Sequence, residues 1–324
     1  MLSKISFAHL PTPVENLTRL TEVLQGPHLL VKRDDQTGMA FGGNKTRKLE
    51  YLLADAQERG AETLITAGAV QSNHCRQTAA AANKAGFNSI LVLVGERPAA
   101  PSGNLLLNQF LGAEIVWTGT EDRDLVLNQT YEKALNEGLK PYLIPYGGSN
   151  ARGASAYAFA MQEMIDQDNN VDWVVFPSSS GGTQAGMVLG AQMFGYQGKV
   201  LGISIDEPSL VLKERVAALA EETAHFLGID RSFTKDQILV NDSYLGGGYG
   251  ILGDPEVEAL QLFARYEGLF LDPVYTGRAA AGMIDLIRKG FFSAQERVLF
   301  WHTGGTPALF ANNYGSQLSL GWKD

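Results

Sequence analysis

The chain has 324 residues, a formal net charge of −9 and a hydrophobic fraction of 45%, as expected for a globular protein with one large or two ordinary domains. Because acidic residues predominate and no basic stripe stands out, a nucleic-acid partner is not expected. The longest apolar runs, such as residues 90–94, are too short to span a membrane, and residues 1–6 form no apolar signal segment. The single cysteine excludes an intrachain disulfide and a multi-cysteine zinc site. We therefore expect a soluble cytoplasmic protein.

Short apolar segments alternate with longer helical segments along most of the chain. The predicted strands cover residues 29–32, 63–66, 89–94, 114–117, 142–145, 173–176, 200–205 and 298–301, and the predicted helices cover 45–59, 76–85, 104–111, 125–137, 153–166, 184–194, 209–227, 256–267 and 277–288. Continuously apolar strands that alternate with helices predict an α/β fold, with mostly parallel sheets covered by helices on both faces. Residues 228–253 are glycine-rich and predicted to be irregular.

Residues 42–50 contain two glycines, an asparagine of N-capping type and then a helical apolar stripe. This pattern predicts that Lys45 lies in the first turn of a helix, just after a loop. The positive end of the helix dipole disfavours an ammonium group there, and a neutral lysine amine can form a Schiff base with a carbonyl. The alternative is a phosphate-contacting or solvated lysine in a basic cluster with Arg47 and Lys48.

Residues 178–186 follow a predicted strand and open a predicted helix. They place three serines, a threonine and three glycines where hydroxyl groups, backbone N–H groups and the helix dipole all favour an anion. The order of residues differs from the P-loop and from the dinucleotide-binding fingerprint. We predict a phosphate site, with an ordinary glycine-rich turn as the alternative.

A second polar cluster, residues 71–74, lies at another predicted junction between a strand and a helix. Ser72 or Asn73 could simply cap the helix, but capping requires only one polar residue. A functional role would use hydrogen bonds, with Ser72 as a proton relay. We interpret His74 as structural and Cys75 as a packing residue.

Three further candidates lie in glycine-rich loops. Tyr249 and Tyr275 could expose phenol groups, although a loop tyrosine is more often a packing residue. Thr303 follows the last predicted strand and is expected to point into the crevice. No grouping of His, Asp and Glu has metal-ligand spacing, so no metal is expected.

Together these motifs resemble those of the pyridoxal-phosphate (PLP) enzymes related to the tryptophan synthase β chain. Within this family, the chain is similar to the branch that holds 1-aminocyclopropane-1-carboxylate (ACC) deaminase and D-cysteine desulfhydrase. The resemblance spans nearly the whole chain and rests on Gly-Gly-Asn-Lys-Thr-Arg-Lys-Leu-Glu-Tyr at 42–51, Gln-Ser-Asn-His at 71–74, the Ser/Gly/Thr loop at 178–183, Asp-Pro-Val-Tyr-Thr-Gly at 272–277 and His-Thr-Gly-Gly-Thr-Pro-Ala-Leu-Phe at 302–310.

The resemblance implies a role for each motif. Lys45 would form the Schiff base with PLP, and Asn73 would donate to the 3′-oxygen of the pyridine ring. Ser72 would hold the substrate carboxylate or relay a proton, with Gln71 and Asn73 also in the substrate site. Tyr249 and Tyr275 would face the ring and the substrate. The cofactor phosphate would be held by Ser180, Gly181, Gly182 and Thr183.

Thr276 and Thr303 separate the members of the branch. ACC deaminases carry glutamate and leucine at these positions, whereas D-cysteine desulfhydrases carry threonine at both. A hydroxyl near the pyridine nitrogen leaves that nitrogen largely unprotonated, which suffices when thiolate is the leaving group. The resemblance therefore implies β-elimination of D-cysteine to pyruvate, ammonia and hydrogen sulfide. The alternatives are ACC deamination, elimination from cysteate, D-serine or β-chloro-D-alanine, and a non-catalytic ligand-binding protein.

The resemblance also implies a large PLP-binding domain, formed by residues 1–46 and 157–324, and a small domain formed by residues 47–156. Two open, twisted, mostly parallel sheets would be covered by helices, with PLP in the cleft between the domains. The small amino-acid substrate would enter the same cleft. The family is typically homodimeric, and a homodimer is expected here.

Overall fold

The computed structural model describes residues 2–168 and 170–318, in which strands and helices alternate through most of the chain. The strands are β1 (Val14–Asn16), β2 (His28–Lys32), β3 (Thr63–Ala69), β4 (Asn88–Val94), β5 (Glu114–Trp117), β6 (Pro141–Leu143), β7 (Trp173–Ser178), β8 (Lys199–Ser204), β9 (Leu239–Asn241) and β10 (Arg297–Trp301). The α-helices are α1 (Thr18–Leu24), α2 (Asn44–Glu58), α3 (Asn73–Ala85), α4 (Gly103–Phe110), α5 (Arg123–Asn136), α6 (Ala151–Gln167), α7 (Gly182–Met193), α8 (Ser209–Phe226), α9 (Asp254–Glu267), α10 (Thr276–Arg288) and α11 (Asn312–Leu318).

The strands form two sheets. One has six strands in the order β1-β2-β10-β7-β8-β9, and the other has four in the order β5-β4-β3-β6. All adjacent pairs run parallel except β1 and β2, which pair antiparallel with Val14 opposite Lys32. The prediction of an α/β fold with two mostly parallel sheets is confirmed.

Each sheet buries apolar side chains on both of its faces. On β4, Ile90 and Val92 pack with residues of α5, whereas Leu91 and Leu93 pack with residues of α3 and α4. This follows from the alternation of side chains along a strand. One face of the six-stranded sheet is covered by α6, α7 and α8, and the other by α1, α9 and α10. The continuous apolar runs of the sequence therefore correspond to strands with two covered faces.

Two short strands were not predicted. β1 and β9 each have three residues, too few for a periodic pattern to show, and each forms an edge of the six-stranded sheet. The prediction that residues 228–253 are wholly irregular was wrong. Leu239–Asn241 pairs with Leu201–Ile203 of β8, so the strand depends on a partner remote in sequence.

The four-stranded sheet is built entirely from residues within 63–143. The limits of the small domain, 47 and 156, stay a prediction. In the described part of the chain, no helix has the length and apolar character needed to cross a membrane.

Candidate active site

A cleft lies where the carboxyl ends of β3, β7 and β10 meet the start of α2, as the rule for open parallel sheets predicts. It encloses about 640 Å³ outside protein atoms, counting its open mouth. The lining residues are Asn44, Lys45, Ser72, Asn73, His74, Tyr146, Gly147, Pro177, Ser178, Ser179, Ser180, Gly181, Thr183, Tyr275, Thr303 and Gly304. The structure thus brings together most of the candidate residues.

Lys45 lies in the first turn of α2 and lines the cleft. The turn before it depends on glycine: Gly42 and Gly43 have φ angles of 63° and 126°, and a Cβ atom on Gly42 would lie 2.0 Å from the carbonyl oxygen of Asp35. Lys45 Nζ donates a hydrogen bond to the carbonyl oxygen of Gly147 at 3.2 Å. Burial lowers the pKa of the Lys45 amine to about 8, so a neutral amine is accessible near neutral pH.

Asn44 does not cap α2, contrary to the prediction. Gly43 occupies the N-cap position, and Asn44 is the first helical residue. Its side-chain amide donates to Thr183 Oγ1 at 3.1 Å. The short polar side chain therefore links the lysine helix to the start of α7.

The structure also does not place Arg47 and Lys48 in a solvated basic cluster, which was the alternative for this stretch. The Lys48 side chain is fully buried, and its Nζ donates to the carbonyl oxygen of Gly147 at 3.2 Å and to Ser149 Oγ at 3.4 Å. Burial, and secondly the charge of Lys45, hold the pKa of Lys48 well below its usual value. Arg47 is buried in an ion-pair network with Asp34 and Glu163. Both cations point inward because α2 packs against α6.

The loop between β7 and α7 presents a set of anion donors. Gly181 is the N-cap of α7 with φ 86°, and it has no side chain with which to cap the helix. Ser180 Oγ and Ser149 Oγ form a hydrogen bond of 2.8 Å, and the Gly182 N–H donates to Ser149 Oγ at 3.2 Å. A Cβ atom on Gly182 would lie 2.6 Å from Ser149 Oγ. Hydroxyl groups, helix-end N–H groups and the neighbouring Lys48 fit a phosphate group.

At the β3–α3 junction, Ser72 caps α3, and its Oγ accepts the Cys75 N–H at 3.2 Å. Capping uses the oxygen as an acceptor, so the hydroxyl proton stays available to the cleft. Asn73 Oδ1 accepts from Asn104 Nδ2 at 2.9 Å, and Asn73 Nδ2 donates to no acceptor within the described residues. Asn73 therefore offers the cleft a donor of fixed orientation, as a ring oxygen requires. The side-chain amide of Gln71 is bonded at the start of α4. Its Nε2 donates to the carbonyl oxygen of Ser102, and its Oε1 accepts the Asn104 N–H.

His74 lines the cleft with a neutral ring. Its Nε2 lies 3.0 Å from Thr66 Oγ1, which itself donates to the carbonyl oxygen of Ile144 at 2.9 Å. Burial first, and then the charges of Lys45 and Lys48, hold the pKa of His74 well below its usual value. Cys75 is fully buried in the apolar cluster between α3, α4 and β4, which confirms its interpretation as a packing residue.

The two candidate tyrosines form a pair. Their phenol oxygens lie 2.7 Å apart, and the rings meet edge to face. Only Tyr275 lines the cleft, and Tyr249 reaches it through Tyr275. Burial, and secondly Tyr249, raise the pKa of Tyr275 well above its usual value, and burial likewise raises the pKa of Tyr249. At neutral pH both phenols hold their protons and act as hydrogen-bond donors.

The two candidate threonines are placed differently. Thr303 lines the cleft. Thr276 is fully buried at the start of α10, where its hydroxyl donates to Asp272 Oδ1 at 2.7 Å and accepts the Asp272 N–H at 2.7 Å. The structure therefore brings Thr303, and not Thr276, to the surface of the cleft.

Several residues of the cleft were not assigned a role from the sequence. Tyr146 and Gly147 follow β6 and line the cleft, Gly147 accepts from both lysines, and Ser149 contacts Lys48 and Ser180. The sequence could have indicated these residues, because the other loops of the site were predicted from the same pattern of glycine and serine after a predicted strand. The burial of Lys48 could not be predicted from the sequence, because helical spacing alone does not show which lysine or arginine side chain is buried.

Comparisons with known proteins identify the family of the chain. The family model described as "Pyridoxal-phosphate dependent enzyme" matches residues 5–304. A solved ACC deaminase homologue is 35% identical, with a TM-score of 0.89, and the match covers 98% of this chain and 95% of that chain.

Two more distant structures share the fold. One is the processed form of threonine deaminase isoform 2 from Solanum lycopersicum, at 16% identity, coverage of 97% and 83%, and a TM-score of 0.70. The other is an L-serine ammonia-lyase from the fungus Rhizomucor miehei, at 16% identity, coverage of 98% and 99%, and a TM-score of 0.70. The chain therefore belongs to the pyridoxal-phosphate dependent enzymes, and its cofactor is pyridoxal phosphate.

Proposed function

We propose that the protein eliminates hydrogen sulfide from D-cysteine, so that D-cysteine and water give pyruvate, ammonia and hydrogen sulfide. The observation that carries this proposal is the chemistry of the cleft lining: no Asp or Glu is among the described residues that line it, while Thr303 is. A neutral hydroxyl beside the pyridine nitrogen gives a weaker electron sink than a carboxylate would. Such a sink suits a substrate with a good leaving group on Cβ.

The cofactor has a complete set of candidate partners. Ser180, Gly181, Gly182 and Thr183 would hold its phosphate, together with Ser149 and Lys48. Asn73 would donate to its ring oxygen, and Thr303 would be the hydroxyl group offered to its ring nitrogen. When bound, pyridoxal phosphate supplies the electron sink for charge that develops at the substrate Cα.

Different side chains of the protein then move the proton and hold the substrate. The neutral Lys45 amine takes the Cα proton, for which burial has lowered its pKa. The Ser72 hydroxyl donates a hydrogen bond to the substrate carboxylate, which places Cα near that amine. The Tyr275–Tyr249 pair donates a hydrogen bond to the departing sulfur. The C–S bond breaks, the departing hydrosulfide takes up the proton removed from Cα to leave as hydrogen sulfide, and the released enamine reacts with water to give pyruvate and ammonia.

Deamination of ACC is the second candidate, and the similarity to a solved ACC deaminase homologue favours it. Threonine at both 276 and 303 counts against it, because opening a cyclopropane ring calls for a stronger sink. Elimination from cysteate, D-serine or β-chloro-D-alanine fits the same lining. A non-catalytic binding protein would not need a lysine amine with a lowered pKa.

A substrate panel separates these candidates. The holoenzyme is incubated with both enantiomers of cysteine, serine, cysteate and β-chloroalanine and with ACC, while pyruvate, 2-oxobutyrate, sulfide and sulfite are measured. The proposal expects pyruvate and sulfide in equal amounts from D-cysteine at the highest kcat/KM. If 2-oxobutyrate from ACC is the dominant product, the proposal of D-cysteine elimination is wrong and ACC deamination takes its place.

We also propose that the protein is a cytoplasmic homodimer with a small domain of residues 47–156. Exposed aromatic side chains support an interface, since Phe270 and Phe310 are 60% and 74% exposed on segments joined by the Thr306–Phe270 hydrogen bond. The mass in solution, measured by light scattering, should be twice that of the chain, and a monomer at micromolar concentration would contradict the proposal.

A further inference from the structure

Arg76 is a buried cation that the proposed reaction does not use. It lies in the second turn of α3 and is 0% exposed. Nη2 donates to the carbonyl oxygen of Gly42 at 2.9 Å, and Nη1 donates to Asn104 Oδ1 at 3.1 Å and to Asn73 Oδ1 at 3.4 Å. Nε has no partner within the described residues.

No carboxylate of the described residues forms an ion pair with Arg76, unlike the other deeply buried arginines of the chain. Arg47 contacts Asp34, and Arg278 contacts Glu256. Burial lowers the pKa of the Arg76 guanidinium to about 9, with Asp272 opposing the shift through space, so the group remains charged at neutral pH. A buried charge without a contacting partner opposes folding, which calls for a role that offsets this cost.

The groups around Arg76 belong to the cofactor site. Asn73 Oδ1 accepts from both Arg76 and Asn104, so the amide cannot rotate without losing both donors. Its Nδ2 is thereby left for the cleft. The Gly42 carbonyl belongs to the turn that leads into Lys45. One guanidinium thus contacts both the asparagine that faces the cofactor and the loop before the lysine.

We propose that Arg76 is a positioning residue for the cofactor: it orients the Asn73 amide, and its buried charge favours the anionic form of the cofactor's ring oxygen. A positive charge in a water-poor interior acts strongly over short distances. It also polarises the Asn73 amide, because a donor on Oδ1 makes Nδ2 a better donor. The inference rests on the proposed contact between Asn73 and the ring oxygen, and it is independent of the substrate.

The primary test is Arg76→Met in the full-length holoenzyme, which removes the charge at similar volume. We expect about tenfold weaker binding of pyridoxal phosphate, as for the loss of a hydrogen bond to a charged group. The pH midpoint of the cofactor absorbance band should rise, because the neighbouring positive charge no longer favours loss of a proton. Arg76→Lys restores the positive charge without the planar guanidinium group. It should therefore recover the pH midpoint of the absorbance band more fully than the affinity for pyridoxal phosphate.

Asn108→Ala is the matched control. Asn108 is a fully buried amide one turn from Asn104 on α4, its side-chain atoms have no hydrogen-bond partner within the described residues, and it is not among the residues that line the cleft. Its substitution should leave cofactor affinity and the absorbance midpoint unchanged. An equal change in Asn108→Ala and Arg76→Met would reduce the role of Arg76 to general packing and overturn the proposal.

A double-mutant cycle separates this inference from the assignment of Asn73. If Asn73→Ala alone alters neither affinity nor the band, the Asn73 assignment fails and the inference fails with it. If Asn73→Ala alters both but Arg76→Met alters neither, only the inference fails. If Arg76 acts through Asn73, Arg76→Met should have little further effect on affinity in the Asn73→Ala background.

Should Arg76→Met not fold, Asn104→Ser takes its place, since this variant removes the other donor to Asn73. Unchanged cofactor affinity in Asn104→Ser would refute the positioning role.

Discussion

The side-chain amines of Lys45 and Lys48 converge on one acceptor, the carbonyl oxygen of Gly147, each at 3.2 Å. Only Lys45 lines the cleft, whereas Lys48 is fully buried and also donates to Ser149 beside the phosphate loop. We therefore propose separate roles for two lysines one helical turn apart: Lys45 reacts with the cofactor aldehyde, and Lys48 contacts the cofactor phosphate.

Replacing each lysine should separate these tasks. Lys45→Ala should abolish both the visible absorbance of the bound cofactor and the release of pyruvate, because Lys45 is the one lysine among the described residues that line the cleft. Lys48→Met should keep the absorbance band at saturating cofactor while weakening binding about tenfold or more. Absorbance titration with pyridoxal phosphate measures both effects. A Lys45→Ala protein that keeps its band and its activity would refute the assignment.

The reaction of the apo-protein with pyridoxal phosphate should depend on pH through Lys45. Only the neutral amine attacks the aldehyde, and burial lowers its pKa from 10.5 to about 8. The rate should therefore rise as pH increases and level off above about 8. Stopped-flow absorbance at several pH values gives this profile. A rate still rising steeply above pH 10 would mean an ordinary solvated lysine.

Arg47 should matter for stability and not directly for chemistry. Its guanidinium contacts both Asp34 and Glu163 at 2.8 Å, and Asp34 is fully buried. Arg47→Met leaves Asp34 without its closest cation and should lower the free energy of unfolding by about 3–5 kcal/mol, as for one partner of a buried pair. The matched control is Arg288→Met, which breaks the exposed pair with Glu258 and should cost less than about 1 kcal/mol. Urea unfolding measures both, and equal losses would contradict the prediction.

Gly147 should be required for cofactor binding because of what surrounds it. A Cβ atom there would lie 2.5 Å from Ser180 Oγ and 3.4 Å from Lys45 Nζ. Gly60 has nearly the same backbone angle, φ 68° against 65°, but no atom within 4 Å of the same point. Alanine at either position strains the backbone, so both variants should lose similar stability. Only Gly147→Ala should also lose cofactor affinity, and a loss of affinity in both would point to strain instead of crowding.

The fold could be predicted where local patterns suffice. Apolar runs between helices indicated parallel strands, and glycine with hydroxyl clusters after strands indicated the residues that now line the cleft, such as Ser72 and Ser180. Local patterns do not show which side of a helix meets the core. Arg47 and Lys48 were therefore interpreted as solvated, although α6 and the β6–α6 loop cover them. Thr276 was placed near the cofactor, but its bond to Asp272 depends on loop geometry that the sequence pattern does not reveal.

Three helices begin at the cleft: α2 at Asn44, α3 at Asn73 and α7 directly after Gly181. Each helix start carries about half a positive charge, so their fields add in the same small volume. The chain as a whole has a formal net charge of −9. An anionic cofactor is therefore repelled by the protein at long range and attracted once it reaches the cleft. Added salt screens the long-range repulsion more than the short-range attraction, so moderate ionic strength should speed the association of pyridoxal phosphate.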